Sequence, residues 1–152
     1  MKKFFFSLQF LLDYRKRREE SLKKELAKMI AKEEKEKEVL EKLQEKLLFW
    51  QKQLEEKKKE ERISIPMMLV YYSYLEEFLI QIKKQVEKIE NISLEKERLQ
   101  KKLLQATKDR KIVEEIKEKR WEEFILQQKK LEQKFIDENA LIKFYQKKEI
   151  NF

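Results

Sequence analysis

The chain of 152 residues contains no glycine, no histidine and no cysteine, and only one proline. Glycine-rich phosphate loops and dinucleotide-binding turns need backbone conformations that only glycine adopts readily, so these nucleotide sites are excluded. Without histidine and cysteine the chain lacks the usual base at neutral pH, the thiol nucleophile and the soft ligands of zinc. We therefore expect no enzyme activity, no cofactor and no metal site.

Long apolar runs are also missing. Residues 1–12 imitate a secretory signal, because a basic start precedes an apolar stretch, but charged residues follow directly. The stretch is far shorter than the ~20 residues that span a bilayer, and no small-residue cleavage site follows it. We interpret it as the first turns of the mature chain, and the lack of cysteine fits a cytoplasmic protein.

Apolar residues recur at alternating steps of three and four, and 45% of all residues are charged. This spacing is typical of the seam of a coiled coil rather than of a compact core or a disordered chain. The first seam runs through Phe5, Leu8, Leu12, Arg15, Glu19, Leu22, Leu26, Met29, Glu33, Glu36, Leu40, Leu43, Leu47, Trp50 and Leu54. The second runs through Tyr71, Leu75, Phe78, Ile82, Gln85, Ile89, Ile92, Lys96, Leu99, Leu103 and Ala106.

The lone proline, Pro66, marks the one strong break in this pattern, because proline disfavours helix at the residue before it. The sequence therefore predicts an all-α fold, a long antiparallel two-helix coiled-coil hairpin in one domain spanning residues 1–152. Helix one is predicted over about 4–61, the turn over about 62–66, and the longer helix two over about 66–146. In this register residue i lies near residue 129 − i, and about twenty C-terminal residues have no partner helix.

Near Asp109 or Arg110 the second seam is predicted to slip by about half a turn and then to resume further along the helix. The resumed stripe consists of Val113, Ile116, Phe124, Leu131, Phe135, Ile142 and Tyr145. We expect no break in the helix at the slip.

Two regions carry more apolar residues than a two-stranded coil can cover. One surrounds the turn, from Ile63 to Ile82, and the other is the chain-end region where Phe4, Phe5, Phe6 and Phe10 approach Trp121 and Phe124. Closure of the hairpin accounts for many of the residues near the turn. Tyr72, Leu79 and Val86 lie off the seam and are the better candidates for contact with a partner protein.

The net charge is +8, and the basic excess is concentrated in the first 18 residues. A basic end can meet nucleic acid, acidic lipid or an acidic protein. The long shaft carries both signs of charge and no base-reading motif, which argues against nucleic acid. We expect a protein partner, with any membrane contact made only through partners.

Several short stretches, in order along nearly the whole chain, resemble the flagellar FliJ family. They are Leu8 to Asp13 with Arg17 and Glu19; Tyr74, Leu75, Ile82 and Gln85; Leu103 to Ala106 with Arg110, Lys111 and Glu114; and Glu132 to Lys134 with Asp137 and Glu138. The resemblance implies a coiled-coil hairpin similar to the rotor stalk of rotary ATPases. It also implies a component of the flagellar type III export apparatus, at the cytoplasmic face of the inner membrane.

By that resemblance, the chain ends would bind the hexameric flagellar export ATPase, and the turn region would bind the cytoplasmic domain of the membrane export gate protein. Export chaperones are a further implied partner. The residues that resemble the gate-facing set are Leu43, Trp50, Leu75, Leu79, Ile82 and Val86, to which Tyr72 is added from its place off the seam. Those that resemble the ATPase-facing set are Arg15, Arg18, Lys111, Glu114, Glu132, Asp137 and Glu138.

The leading hypothesis is a non-enzymatic stalk that supports protein export and flagellum assembly. The alternative is a generic hairpin chaperone or adaptor of prefoldin type, which would normally carry strands at the turn.

Overall fold

A computed structural model describes residues 2–60 and 63–150 of the chain. They form two helices, α1 (Gln9–Lys59) and α2 (Ile65–Ile150), and include no strand. The predicted all-α antiparallel hairpin with a longer second helix is confirmed. Leucine, lysine and glutamate are strong helix formers, and no glycine interrupts them, so both helices run without a break.

Helix α1 begins at Gln9, and its predicted start at Phe4 is wrong. Residues 2–6 have no regular secondary structure, and the Gln9 amide donates to the Phe6 carbonyl at 3.1 Å. Phe4 and Phe6 both pack against α2, whereas two residues in such positions would point to different sides of a helix. The segment therefore leaves the helical conformation, and Phe5, predicted for the seam, is exposed.

Helix α2 begins at Ile65, so the last two residues of the turn predicted over about 62–66 are already helical. Glu61 and Arg62, on which the rest of this prediction falls, lie outside the described residues. The Ser64 hydroxyl accepts from the Met67 amide at 3.4 Å, and its carbonyl accepts from the Met68 amide at 3.0 Å. Ser64 thus acts as the N-cap, and Pro66 occupies the first turn, where no intrahelical partner for its nitrogen is needed.

The other predicted helix ends differ by a few residues. Helix α1 ends at Lys59 instead of Glu61, and α2 continues to Ile150 instead of Gln146. Lysines occupy the last turn of both helices, where they interact favourably with the negative end of the helix dipole.

Contacts divide the chain into two compact units. We call residues 1–19 with 106–152 the end unit, and residues 20–105 the turn unit. In the end unit Leu12 and Val113 are 1% and 2% exposed and form a core with Phe6. Four half-buried residues, Phe4, Leu8, Leu11 and Ile116, pack against this core. Burial of each large apolar side chain stabilises the fold by about 1.5–3 kcal/mol.

The phase slip predicted near Asp109 or Arg110 is wrong. In the end unit the buried or half-buried positions of α2 continue in the same rhythm through Ala106, Arg110, Val113 and Lys117. Arg110 and Lys117 keep their places in the seam because their charged groups have partners on α1, Glu19 and Gln9 respectively. Beyond Gln128 every described residue of α2 is exposed, which includes the apolar stripe from Leu131 to Tyr145.

The predicted seam of the turn unit is confirmed. Each seam position predicted in this unit is buried or half-buried. The most buried are Leu22, Glu33, Leu54, Tyr71, Ile92 and Leu99. Glu33 pairs with Lys96, as the predicted antiparallel register requires.

Candidate partner-binding surfaces

An aromatic cluster joins the two helices of the turn unit near the turn. The Trp50 ring of α1 stacks on Tyr74 of α2, with centroids 5.6 Å apart and planes within 8°. Tyr71 lies 5.8 Å from the same ring, and Phe49 lies 5.6 Å from it, edge-on. Each such pair adds about 0.5–1.5 kcal/mol beyond the burial of area. The cluster therefore links α1 and α2 close to the turn.

The residues predicted to face the export gate fall into two groups. Leu43, Trp50, Leu75 and Ile82 are half-buried members of the seam. Tyr72, Leu79 and Val86 are exposed, at 46%, 54% and 37%, and lie seven residues apart on one face of α2. We call this second group the apolar face of the turn unit. Its members lie off the seam, so part of each side chain is open to solvent.

Tyr72 is held in place by a lysine from α1. The Lys58 ammonium donates to the Tyr72 hydroxyl at 2.7 Å and also lies 5.1 Å from the centroid of its ring. Lys57 makes the same kind of cation–π contact with the Tyr71 ring at 5.0 Å. Sequence reasoning missed both lysines, because they sit in a charged run, although the antiparallel register would have placed them beside the tyrosines.

Two glutamates form a polar layer in the seam of the turn unit. The Glu33 carboxylate lies 3.0 Å from Lys37 Nζ and 3.1 Å from Lys96 Nζ. The Glu36 carboxylate accepts from Gln85 Nε2 at 2.6 Å and lies 3.0 Å from Lys88 Nζ. The Lys37 hydrogen bond lowers the pKa of Glu33, with Lys96 adding to the effect, and the Gln85 and Lys88 hydrogen bonds lower the pKa of Glu36.

A corresponding polar layer lies in the end unit around Arg110. Its guanidinium donates to the buried Glu19 carboxylate on α1 and to Glu114 on α2, the latter at 2.6 Å. Both hydrogen bonds raise the pKa of Arg110 above its usual value, and the bond to Glu19 has the larger effect. Arg15 of α1 donates to the Asp109 carbonyl at 2.6 Å. Polar side chains thus bridge the helices of this unit beside the apolar core.

The residues predicted to face the ATPase also separate by their surroundings. Arg15 and Glu114 are half-buried and engaged in the layer just described. The remaining five are exposed: Arg18, Lys111, Glu132, Asp137 and Glu138. Asp137 accepts from Gln133 one turn earlier at 3.0 Å, which leaves it on the solvent side of α2. The acidic members of these five lie in the stretch of α2 after Gln128, where every described residue is exposed.

The start of the chain forms an aromatic groove in the end unit. The Phe4 ring lies 5.2 Å from Trp121, edge-on, and 5.5 Å from Phe124. Together with Ile125, these rings line an open groove with a cavity volume of about 590 Å³, at whose rim Lys2, Lys3, Gln128, Lys129 and Glu132 lie. The predicted approach of the N-terminal phenylalanines to Trp121 and Phe124 holds for Phe4, whereas Phe5 and Phe10 are exposed.

The described residues include no group of three or more histidine, cysteine, aspartate or glutamate side chains that could hold a metal ion. None of the helices, within the part of the chain described, is both long and apolar enough to cross a membrane.

A family model described as Flagellar FliJ protein matches residues 4–149, nearly the whole chain. No curated protein and no solved structure matches the chain significantly.

Proposed function

Because the chain belongs to the flagellar FliJ protein family, and is thereby a component of flagellar protein export, we propose that it is a non-enzymatic stalk with two binding ends. The end unit binds the hexameric flagellar export ATPase, and the turn unit binds the cytoplasmic domain of the membrane export gate protein. The stalk lies at the cytoplasmic face of the inner membrane, where it supports export and flagellum assembly.

The observation that carries the proposal is that each unit exposes residues that the packing of its own helices does not cover. The turn unit exposes the apolar face of Tyr72, Leu79 and Val86. The end unit exposes charged residues that include Asp137 and Glu138, together with the apolar stripe from Leu131 to Tyr145. Separate exposed surfaces on the two units allow each unit to bind a different partner, with apolar residues supplying buried area and charged residues supplying specificity.

A rigid helix pair can influence a ring of identical subunits through unequal contact. The pair cannot present the same residues to all six subunits, so those it touches differ in energy from the others. A contact that favours one conformation of a subunit shifts its nucleotide affinity by the difference in binding free energy. Export chaperones are additional partners in this proposal, and nucleic acid is not one.

A generic adaptor of prefoldin type is the alternative. That class normally adds strands at its tips, whereas residues 63–150 enter α2 directly after the Ser64 cap and contain no strand. The stalk therefore remains the better supported function.

Variants of exposed residues on each unit test whether the two units bind different partners. Asp137→Lys/Glu138→Lys should weaken binding to the purified export ATPase by roughly tenfold or more, because it reverses two charges at the contact, and should abolish any change in ATP hydrolysis. It should leave binding to the gate domain intact. Leu79→Asp/Val86→Asp should have the opposite pattern, because it places charges on the apolar face.

Glu122→Lys/Glu123→Lys is the matched control, since it reverses two exposed acidic side chains elsewhere on α2. Circular dichroism should give the same melting temperature for all three variants. The proposal is wrong if the chain binds neither protein, or if each variant weakens both complexes equally.

A further inference from the structure

Two aromatic side chains near the start of the chain are more exposed than their neighbours and take no part in the fold. Phe5 is 85% exposed and Phe10 is 78% exposed. Both belong to the end unit, and neither contributes to its core or to the aromatic groove. A fully exposed phenylalanine forgoes about 1.5–3 kcal/mol of burial, so these two side chains need an explanation outside the fold.

The residues on either side hold Phe5 away from the protein. Phe4 packs on Trp121 and Phe124. Phe6 is buried, with Arg120 5.5 Å and Lys117 5.9 Å from its ring centroid. Because the segment alternates inward and outward, the anchoring of Phe4 and Phe6 fixes Phe5 in the outward position. The exposure of Phe5 therefore follows from the packing of Phe4 and Phe6 on either side of it.

The exposed aromatic residues continue along α1 and end in a basic turn. Phe10, Tyr14 and Arg17 are spaced four and three residues apart, so they share one face of the helix, and all three are exposed. Residues 2–18 contain six basic side chains and one acidic side chain. Of the basic ones only Arg15 turns inward, to the Asp109 carbonyl. The lone acidic residue, Asp13, accepts a hydrogen bond from Gln9 at 2.9 Å.

We propose that the exposed residues Phe5, Phe10, Tyr14 and Arg17, with Lys2 and Lys3 from the lining of the aromatic groove, form a surface that binds directly to a bilayer that contains anionic lipid. This direct contact departs from the expectation, drawn from the sequence, that the chain meets the membrane only through partners. Protruding aromatic side chains beside basic ones are typical of surfaces that insert shallowly at the headgroup boundary. Each exposed cation near an anionic membrane adds to the attraction, and the apolar rings gain burial that the fold does not give them.

A bilayer fits this surface better than single-stranded nucleic acid does. Stacking sites for bases usually lie in a groove that follows the phosphate backbone. Phe5 and Phe10 instead protrude, so that a stacked base would leave most of each ring in water, whereas lipid can surround the whole side chain. The groove that is present, beside Phe4, does not include either of them. Of the residues proposed for the ATPase, the acidic ones lie on α2, whereas Arg15 and Arg18 adjoin this surface, so the proposal concerns the chain that is not bound to the ATPase.

Sedimentation with vesicles tests the proposal. The full chain should bind vesicles with roughly one-third phosphatidylglycerol and should bind pure phosphatidylcholine at least about tenfold less, with affinity falling as salt rises. Phe5→Ser/Phe10→Ser should reduce binding by about tenfold or more. Lys2→Gln/Lys3→Gln should reduce it by roughly fivefold for each charge. Phe135→Ser, which removes an exposed phenylalanine beside acidic residues of the same unit, should have no effect.

The absence of cysteine allows a direct measurement of insertion. Phe10→Cys, labelled with an environment-sensitive fluorophore, should show a blue-shifted and enhanced emission with anionic vesicles, and Phe135→Cys should not. Equal binding to neutral vesicles, no loss in the Phe5→Ser/Phe10→Ser variant, or an unchanged emission at position 10 would overturn the proposal. A single-stranded RNA that competes fully with the vesicles would also overturn it and would identify nucleic acid as the ligand.

Discussion

Glu33 and Glu36 show how single polar residues can occupy a seam that otherwise requires apolar ones. Glu33 receives a lysine from each helix, and Glu36 receives Gln85 and Lys88 from the other helix. If the helices slid past each other, these carboxylates would face apolar side chains, at a cost in desolvation. Paired polar positions of this kind favour one register over the others.

The pH dependence of the turn unit follows from these two carboxylates. Their pKa values lie below the ordinary value of 4.5, so their contribution to stability is complete above that pH and is lost as pH falls through the folded-state pKa. We expect Glu33→Gln/Glu36→Gln to lower the melting temperature at pH 7 and to reduce the further loss on going to pH 3. Thermal melts followed by circular dichroism measure both effects.

Glu41→Gln/Glu45→Gln is the control for this measurement, because both glutamates are exposed on the same helix. This variant should lose as much stability between pH 7 and pH 3 as the unmodified chain does. Equal pH dependence in Glu33→Gln/Glu36→Gln and the unmodified chain would contradict the assignment.

At the scale of the helices, the Trp50 cluster is an interhelix contact close to the turn. Trp50→Ala removes a half-buried ring that contacts Tyr71 and Tyr74 across the pair. We expect it to lower the free energy of unfolding by about 2–3 kcal/mol, as measured by urea titration. Leu48→Ala, two residues away and 61% exposed, should change it by less than about 0.5 kcal/mol. Similar values for the two variants would show that the cluster is not a stabilising contact.

The heptad pattern was sufficient to predict the two helices, their antiparallel pairing and nearly every seam position. The pattern was wrong at residues whose contacts do not follow the heptad spacing. Phe5 continues the seam spacing, but Phe4 and Phe6 both pack on α2, which a helical segment would not permit. The slip near Arg110 follows from the spacing of the apolar residues on either side of it, but hydrogen bonds to Glu19 and Glu114 let Arg110 occupy the seam position between Ala106 and Val113.

The candidate surfaces were less predictable than the helices. Exposure of the apolar face follows from its residues lying off the seam, and the sequence indicated it. Whether a seam residue such as Leu75 is also available to a partner depends on how far the helices cover it, and spacing alone does not give that. The sequence also could not indicate that Arg15 turns toward the Asp109 carbonyl, because that contact depends on the orientation of one long side chain.

At the scale of the whole molecule, the described part of α2 after Gln128 differs from the rest because it has no buried residue. Every residue from 129 to 150 is exposed, including Leu131, Phe135 and Tyr145. A single helix without a packed face is marginal in water, because the cost of ordering its backbone is offset only by its own hydrogen bonds. This segment should therefore open with a much lower free energy than the packed seams do.

Truncation after Gln128 tests this difference in stability. The shortened chain should melt within about 2 °C of the full chain, since no buried contact is removed, and should lose only the helical signal of the deleted segment. Amide hydrogen exchange in the full chain should be at least about a hundredfold faster over residues 131–150 than at Leu99 or Val113. If the purified ATPase is then added, the same amides should become protected, because a bound partner gives the exposed stripe the packed face that the chain itself lacks. A large drop in melting temperature on truncation, or strong protection of the segment without a partner at concentrations where the chain is monomeric, would contradict this account.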